Sequence, residues 1–371
     1  ACEQRKLGEF CDMFNGDRSS KYPNDSDMLP EGIPFINAGD LQEGKVNLET
    51  CNKISKSKYD ELNGAKLSEG DIVYCLRGSL GKNAYIDNFS EGTIASSLVA
   101  IRPKMINGRF LFHILNSDIE YKQRVLRDEG AAQPNLSARS LSEFFIPIPQ
   151  AEEDQSVADF LDNVDNYITL HQRKLDELKN MKKTLLSKMF PKNGEVVPEI
   201  RFKGFTDAWE QRKLGTAINV KSGKDYKHLD EGDVPVYGTG GYMLSVSEAL
   251  ENTRDAIGIG RKGTIDKPFV LKAPFWTVDT LFYCIPKENN SLSFLYSLFQ
   301  SINWKLYDES TGVPSLSKTV IDGVTIKLTS EDEQSSIGEY FESVNNLITL
   351  HQRKLDELKN MKKTLLQQMF V

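Results

Sequence analysis

The chain is short of the residues from which active sites and covalent frameworks are usually assembled. Its 371 residues include four histidines, at positions 113, 171, 228 and 351, and five cysteines, Cys2, Cys11, Cys51, Cys75 and Cys284. The cysteines are odd in number, scattered and never spaced as CxxC, which argues against a disulfide framework or a zinc site and for reduced thiols in a cytoplasm. No apolar run approaches the ~18 residues of a membrane span, and no secretory signal opens the chain, so a soluble cytoplasmic protein with no membrane partner is expected. No HExxH and no Ser-His-Asp arrangement is visible. Residues 78 to 82 spell GxxGK without the GxxxxGKS or GxxxxGKT spacing that wraps a phosphate, and Gly238-Thr239-Gly240-Gly241 lacks GxGxxG spacing and reads as a sharp turn. No catalytic residue and no metal site is therefore expected, and no cofactor bound to this chain. An excess of positive charge is missing too: the net charge is −7, opposite to the basic footprint of a free-standing nucleic-acid binder.

What the chain does have is a repeat. ITLHQRKLDELKNMKKTLL occurs at Ile168 to Leu186 and again at Ile348 to Leu366, 180 residues apart. That period is far longer than the roughly 20 to 50 residues of solenoid units. Around each copy, apolar residues recur at alternating steps of four and three, through Ile168, Leu175, Leu178 and Leu185 in one and Ile348, Leu355, Leu358 and Leu365 in the other. These are two heptad stripes of equal register, predicting two long helices that pack on each other. His171 and His351 fall on the seam, where a polar residue fixes register more often than it binds metal. Pro191 with Asn193-Gly194 closes the first helix. Between His171 and Lys192 seven cations face two carboxylates, a local excess that a solvated helix face would also explain.

Ordered landmarks outside the helices extend the duplication. Glu3 to Gly8 returns as Glu210 to Gly215, and Ile33-Pro34 before Gly39 returns as Val234-Pro235 before Gly240. Arg77-Gly78-Ser79-Leu80-Gly81-Lys82 after a strand-like Ile72-Val73-Tyr74 answers to Lys262-Gly263-Thr264-Ile265-Asp266-Lys267 after Ile257-Gly258-Ile259. Phe110-Leu111-Phe112 matches Phe294-Leu295-Tyr296, and Pro134 to Ser137 matches Pro314 to Ser317. The steadily shrinking offset implies shorter loops in the second copy. The expected organisation is α+β: globular domains at 1–150 and 194–330, long helices at 151–193 and 331–371. Only Ala1 and Cys2 precede Glu3, whereas Pro198 to Trp209 precede Glu210, so the natural beginning of the chain is expected to be missing.

Taken together, the paired helices, their Met-Phe ends at Met189-Phe190 and Met369-Phe370, the EQRKLG openings, the run from Val234 to Gly241 and the segment Ile257 to Asp279 resemble the specificity subunit of type I restriction-modification enzymes. The resemblance spans nearly the whole chain. It implies two target recognition domains separated by an antiparallel intramolecular coiled coil with pseudo-two-fold symmetry, binding double-stranded DNA at an interrupted, two-part site. It also implies docking of two methyltransferase subunits and of motor-nuclease subunits, with S-adenosylmethionine, ATP and Mg held by those partners. Candidate DNA contacts follow from the shared positions: Arg77, Ser79 and Lys82 in the first domain, and Arg261, Lys262, Thr264 and Lys267 in the second. At such glycine turns backbone can approach a phosphate and a cation can reach a base edge. Gln133, Asn135 and Ser315 lie on a second pair of polar loops. Trp276 and Phe275 read as core. The rival reading is a coiled-coil scaffold carrying two ligand- or protein-binding domains without DNA.

Overall fold

The computed structural model describes residues 3–128, 134–149, 153–192 and 194–369. It divides into two compact units, residues 1–171 with 354–371, and residues 172–353. Each unit therefore contains one globular domain, the first half of one long helix and the second half of the other.

In the first unit the strands Cys11–Asn15, Leu98–Pro103, Ile72–Cys75 and Asn83–Tyr85 form one antiparallel sheet in that spatial order. The second unit builds the same order from Ile218–Ser222, Leu281–Pro286, Ala256–Gly260 and Phe269–Leu271. The openings pair alike as well: Glu3 opposes Ile148, and Glu210 opposes Leu328. Apolar residues buried on both faces of Ile72–Cys75 and Ala256–Gly260 make these the central strands. The units differ in their second sheet. A strand pair parallel to one another recurs, Ile33–Ile36 with Thr93–Ile94 and Glu231–Gly238 with Trp276–Thr277. The first unit then adds Asn52–Ile54, Met28–Leu29 and the short helix Lys56–Glu61. These extra elements account for the shrinking offset between the copies. Gly238-Thr239-Gly240-Gly241 is a hairpin turn between Glu231–Gly238 and Gly241–Val246, with Gly241 at φ +105°.

The long helices run over Glu153–Lys188, 36 residues, and Glu331–Met369, 39 residues, or ~54 and ~58 Å. Their stripes are buried at Leu161, Val164, Leu175 and Leu178 and at Phe341, Val344, Leu355 and Leu358, with Ile168 and Ile348 half-buried. Within the first unit, Ala158 and Leu161 share a core with Leu365, Leu366 and Met369, and Asp165 meets Lys362 at 2.6 Å. Rising numbers on one helix meet falling numbers on the other, so the two segments are antiparallel there. In the second unit Leu185, Leu186 and Met189 share a core with Ile337 and Phe341, and Phe190 stacks on Phe341.

The short helices beneath these segments repeat with their caps. Asn107 accepts from Phe110 N to start Gly108–Ile114, and Ser291 accepts from Phe294 N to start Leu292–Ser301. Ser137 and Ser317 cap Ala138–Ser142 and Lys318–Gly323 in the same way. Such a cap stabilises a short helix by roughly 1 kcal/mol, which explains why the serine of the Pro-x-Leu-Ser landmark survives in both copies. Cys11, Cys51, Cys75 and Cys284 are buried free thiols. Burial pushes Cys11 and Cys51 up to about 12.

Candidate nucleic-acid interface

Both central strands end in the same backbone device. Past Cys75, Leu76 N donates to Ser97 O at 2.9 Å, Leu136 N donates to Leu76 O at 2.9 Å, and Gly78 N donates to Pro134 O at 3.3 Å. Past Gly260, Arg261 N donates to Thr280 O at 2.8 Å, Leu316 N donates to Arg261 O at 2.9 Å, and Gly263 N donates to Pro314 O at 2.8 Å. The pattern brings Arg77 opposite Asn135 and Lys262 opposite Ser315, each as an isolated β-bridge. Two loops that lie more than fifty residues apart in sequence thus meet edge to edge in each domain. Gly78 and Gly263 both sit at positive φ, 79° and 90°, a conformation that disfavours a side chain and lets the following residues fold back beside the strand.

A carboxylate holds each second loop. Asp128 Oδ1 accepts from Asn135 N at 2.9 Å, and Asp308 Oδ1 accepts from Ser315 N at 2.9 Å. Backbone donation from Ser315 and Ser310 holds the Asp308 carboxyl below the usual carboxylate range. These acids were not among the sequence candidates. Their signal is nevertheless present, because Leu-x-Asp-Glu occurs at 126–129 and at 306–309, the same 180 residues apart as the helices.

The side chains displayed on this shared frame differ. Arg77 is exposed and its Nε donates to Asn135 Oδ1 at 3.0 Å, coupling a guanidinium to an amide. The second domain offers exposed Arg261 and Lys262 beside Ser315; Arg261 lies 5.9 Å over the Phe282 ring and its Nη1 donates to Asp279 O. Ser79 and Lys267 are exposed and Thr264 half-buried. Lys82 is half-buried: its ammonium donates to Ala38 O at 3.0 Å, and its own carbonyl accepts from Cys75 N. It ties the turn to the segment that follows the strand Ile33–Ile36. Gln133 lies outside the described residues.

Two more cations share these strand ends and escaped the sequence reading. The strand Cys11–Asn15 leads into Gly16 and exposed Arg18, whose Nη2 donates to Ser96 O at 3.2 Å, and Ile218–Ser222 leads into Gly223 and exposed Lys224. A Cβ at Gly16 would lie 2.3 Å from Ala95 O, and one at Gly223 would lie 2.0 Å from Val278 O. Only glycine permits that approach, so the chain turns at the same place in both domains. Phe275 and Trp276 are core residues, 0% and 5% exposed, with Trp276 Nε1 donating to Lys224 O.

The chemistry gathered here is cationic, amide and hydroxyl, on loops that a rigid sheet fixes in place. Asp128 and Asp308 are occupied by backbone N–H groups, and Asp266 by the Lys305 ammonium. Among the described residues, no three His, Cys, Asp or Glu side chains are grouped to hold a metal, and no helix is long and apolar enough to cross a membrane. Such a surface suits phosphate and base-edge recognition.

Known proteins share this organisation. The specificity subunit of the type I restriction enzyme MjaVIII of Methanocaldococcus jannaschii is 21% identical over 97% of this chain and 90% of that protein. The EcoBI specificity subunit of Escherichia coli is 24% identical over 47% of this chain and 38% of its own length. Among solved structures, the S subunit of a type I restriction-modification system from M. genitalium superposes with a TM-score of 0.74 at 18% identity, covering 100% of this chain and 96% of that one. The sequence matches the type I restriction modification DNA specificity domain over residues 2–180 and 206–360. With both halves matched and both carrying the same loop frame, the chain belongs to the type I restriction-modification DNA specificity family, as a DNA-recognition subunit that is not itself an enzyme.

Proposed function

We propose that residues 1–150 and 194–330 each read one half of an interrupted DNA site, and that the helices at 151–193 and 331–371 set the distance between the halves. The observation that carries this reading is one backbone frame bearing different side chains, Arg77 with Asn135 in one domain and Lys262 with Ser315 in the other. Arginine and asparagine are bidentate partners of guanine and adenine; lysine and serine on the same frame would read a different half-site. Arg261, Ser79, Thr264 and Lys267 supply phosphate or base contacts beside them, and Gln133 is a further candidate reader.

Exposed apolar residues on the helices also come in equivalent pairs, Tyr167 with Leu347, Leu170 with Leu350 and Met181 with Met361. Paired patches of this kind suit two copies of one partner, and we assign them to two methyltransferase subunits. Restriction subunits would join in the full complex, with S-adenosylmethionine, ATP and Mg bound by the partners. The net charge of −7 then makes sense, because the partners complete the neutralisation of phosphate. The isolated chain should bind DNA weakly, and the gain on adding methyltransferase should be steeply salt-dependent.

Methylation mapping of DNA from cells expressing the chain with its methyltransferase should return a two-part adenine-methylated motif. Inserting four residues into one helix should lengthen the undefined spacer in that motif, since duplex DNA advances ~34 Å per turn and each domain must meet its own groove. A continuous motif, or a spacer indifferent to the insertion, would refute the reading.

A further inference from the structure

Leu126 and Leu306 are 82% and 79% exposed. A single exposed leucine is ordinary on a protein surface. This pair is different in three respects. The two residues are 180 apart, two positions before the equivalent carboxylates Asp128 and Asp308, although their neighbours differ: Val125 and Arg127 flank one, Lys305 and Tyr307 the other.

Each leucine also stands on a segment tied to the glycine turn of its own domain. In the first, the helix Asp118–Leu126 ends against that turn so closely that a Cβ at Gly81 would lie 2.5 Å from Arg124 Nε. In the second, Lys305 Nζ meets Asp266 of the turn at 3.0 Å. Finally, the carboxylate two residues on from each leucine holds the second loop of its domain, which places the leucines beside the loops that display Arg77 with Asn135 and Lys262 with Ser315. Even with Tyr121 and Val125 exposed on the helix of Leu126, so few side chains fall well short of a protein interface, which buries on the order of 800 Å² per partner. An exposed apolar side chain beside a loop that displays a cation with an amide or hydroxyl matches duplex DNA, where apolar base surface lies between rows of phosphates.

We propose that Leu126 and Leu306 are apolar base contacts, one in each half-site, each burying its side chain against a thymine methyl or the face of an unstacked base. This rests on the DNA-reading assignment above and extends it to two residues outside the polar loops. It also divides the labour of recognition. Arg77 and Lys262 find phosphates and polar base edges, while the leucines reject sites lacking apolar surface at one position.

The test uses the full chain assembled with its methyltransferase subunits and the target duplex found by methylation mapping. Leu126→Ala and Leu306→Ala should each weaken binding to the target by roughly tenfold or more, leave binding to a scrambled duplex unchanged, and relax the methylated motif in one half only, a different half for each variant. Replacing thymines by uracil one at a time separates the two kinds of contact. A methyl contact shows one uracil position whose loss the alanine variant abolishes; an unstacked base shows instead as increased 2-aminopurine fluorescence that the variant suppresses. Unchanged target binding by both leucine variants, with Arg77→Ala and Lys262→Ala still weakening it, overturns the leucine inference and leaves the DNA reading standing. If the arginine and lysine variants are silent too, both fall. Loss of subunit assembly in place of DNA affinity also overturns it, and makes the leucines a protein contact.

Discussion

Lys362 and Lys182 occupy the same position of the same nineteen-residue segment, yet their surroundings are opposite. In the first unit Lys362 Nζ lies 2.6 Å from Asp165 Oδ1, and its side chain is 20% exposed. His113 is wholly buried beside this pair, its Nε2 2.9 Å from Asp162 Oδ1 and its Nδ1 3.9 Å from Asp165, too long for a hydrogen bond. In the second unit the residues 180 positions on from Asp165 and Asp162 are Asn345 and Glu342. There Lys182 lies 5.9 Å over the Tyr296 ring, and burial alone pushes its ammonium down from the ordinary lysine range. The same segment is thus stabilised in one unit by an ion pair and carries in the other a partly buried charge with no carboxylate partner among the described residues. The energetic meaning of a repeated residue is set by the variable domain it faces.

The largest effect expected from this contrast is a difference of sign. Lys362→Met should destabilise the first unit by about 1–2 kcal/mol, because it strands Asp165 against a buried histidine; the value is discounted from that of a fully buried pair since Asp165 is a third exposed. Lys182→Met should instead stabilise the second unit by about 1 kcal/mol, removing a desolvated charge whose compensation is one weak cation–π contact. Hydrogen exchange resolved along the chain, in 153–171 against 172–188, measures the two separately. Losses of equal size in both units would erase the contrast.

Much of the architecture was legible beforehand because it rests on local rules. Heptad spacing is a property of neighbours in sequence, so both helices could be read from it. Gly78 and Gly263 could be found because a positive φ leaves few residues to choose from. The recognition loops were only partly legible. Arg77 and Asn135 were both named as contacts, yet nothing local says that they bridge each other. Lys82 looked like an equal candidate, and its capture by Ala38, 44 residues upstream, depends on how the second sheet packs. Asp128 and Asp308 were hidden for another reason: acids among cationic loops look misplaced until the structure shows that they bind backbone N–H groups. The Asp165–Lys362 pair joins residues 197 apart, and its absence from the other copy follows from one substitution that the helical pattern does not reveal.

A smaller effect separates the units by pH. Burial holds the His113 imidazole below its ordinary range, helped by the charge of Lys362 and opposed by Asp162 and Asp165; Arg109 faces Asp162 from the same side. The folded state therefore takes up a proton at lower pH than the unfolded chain does. Stability from this group is fully present above about pH 6.5 and is lost as pH falls from there through the folded value. The first unit should weaken over that interval, while the second, with Ser297 in the corresponding place, should not. Denaturation midpoints followed between pH 7 and 5 should lose this slope in His113→Gln. Lys362→Met should shallow it as well, since removing the cation raises the folded value toward the unfolded one. A slope equal in both units, or intact in His113→Gln, would place its origin elsewhere.

The smallest change expected is also the most direct test of the equivalence. Asn345→Asp gives Lys182 the carboxylate that Lys362 has in the first unit. If the two seats share their geometry, the new pair should stabilise the second unit by at most about 0.5–1 kcal/mol, the range of a partly exposed ion pair, and the gain should fade in high salt. It should vanish in the Lys182→Met background, because a double-mutant cycle reports only the coupling between the two positions. Asn345→Asp alone could also act through the general charge of the helix, and that contribution would survive in the methionine background. A coupling indistinguishable from zero would mean that the second domain seats its helix in a different register from the first, despite the identical sequence of the segment it holds.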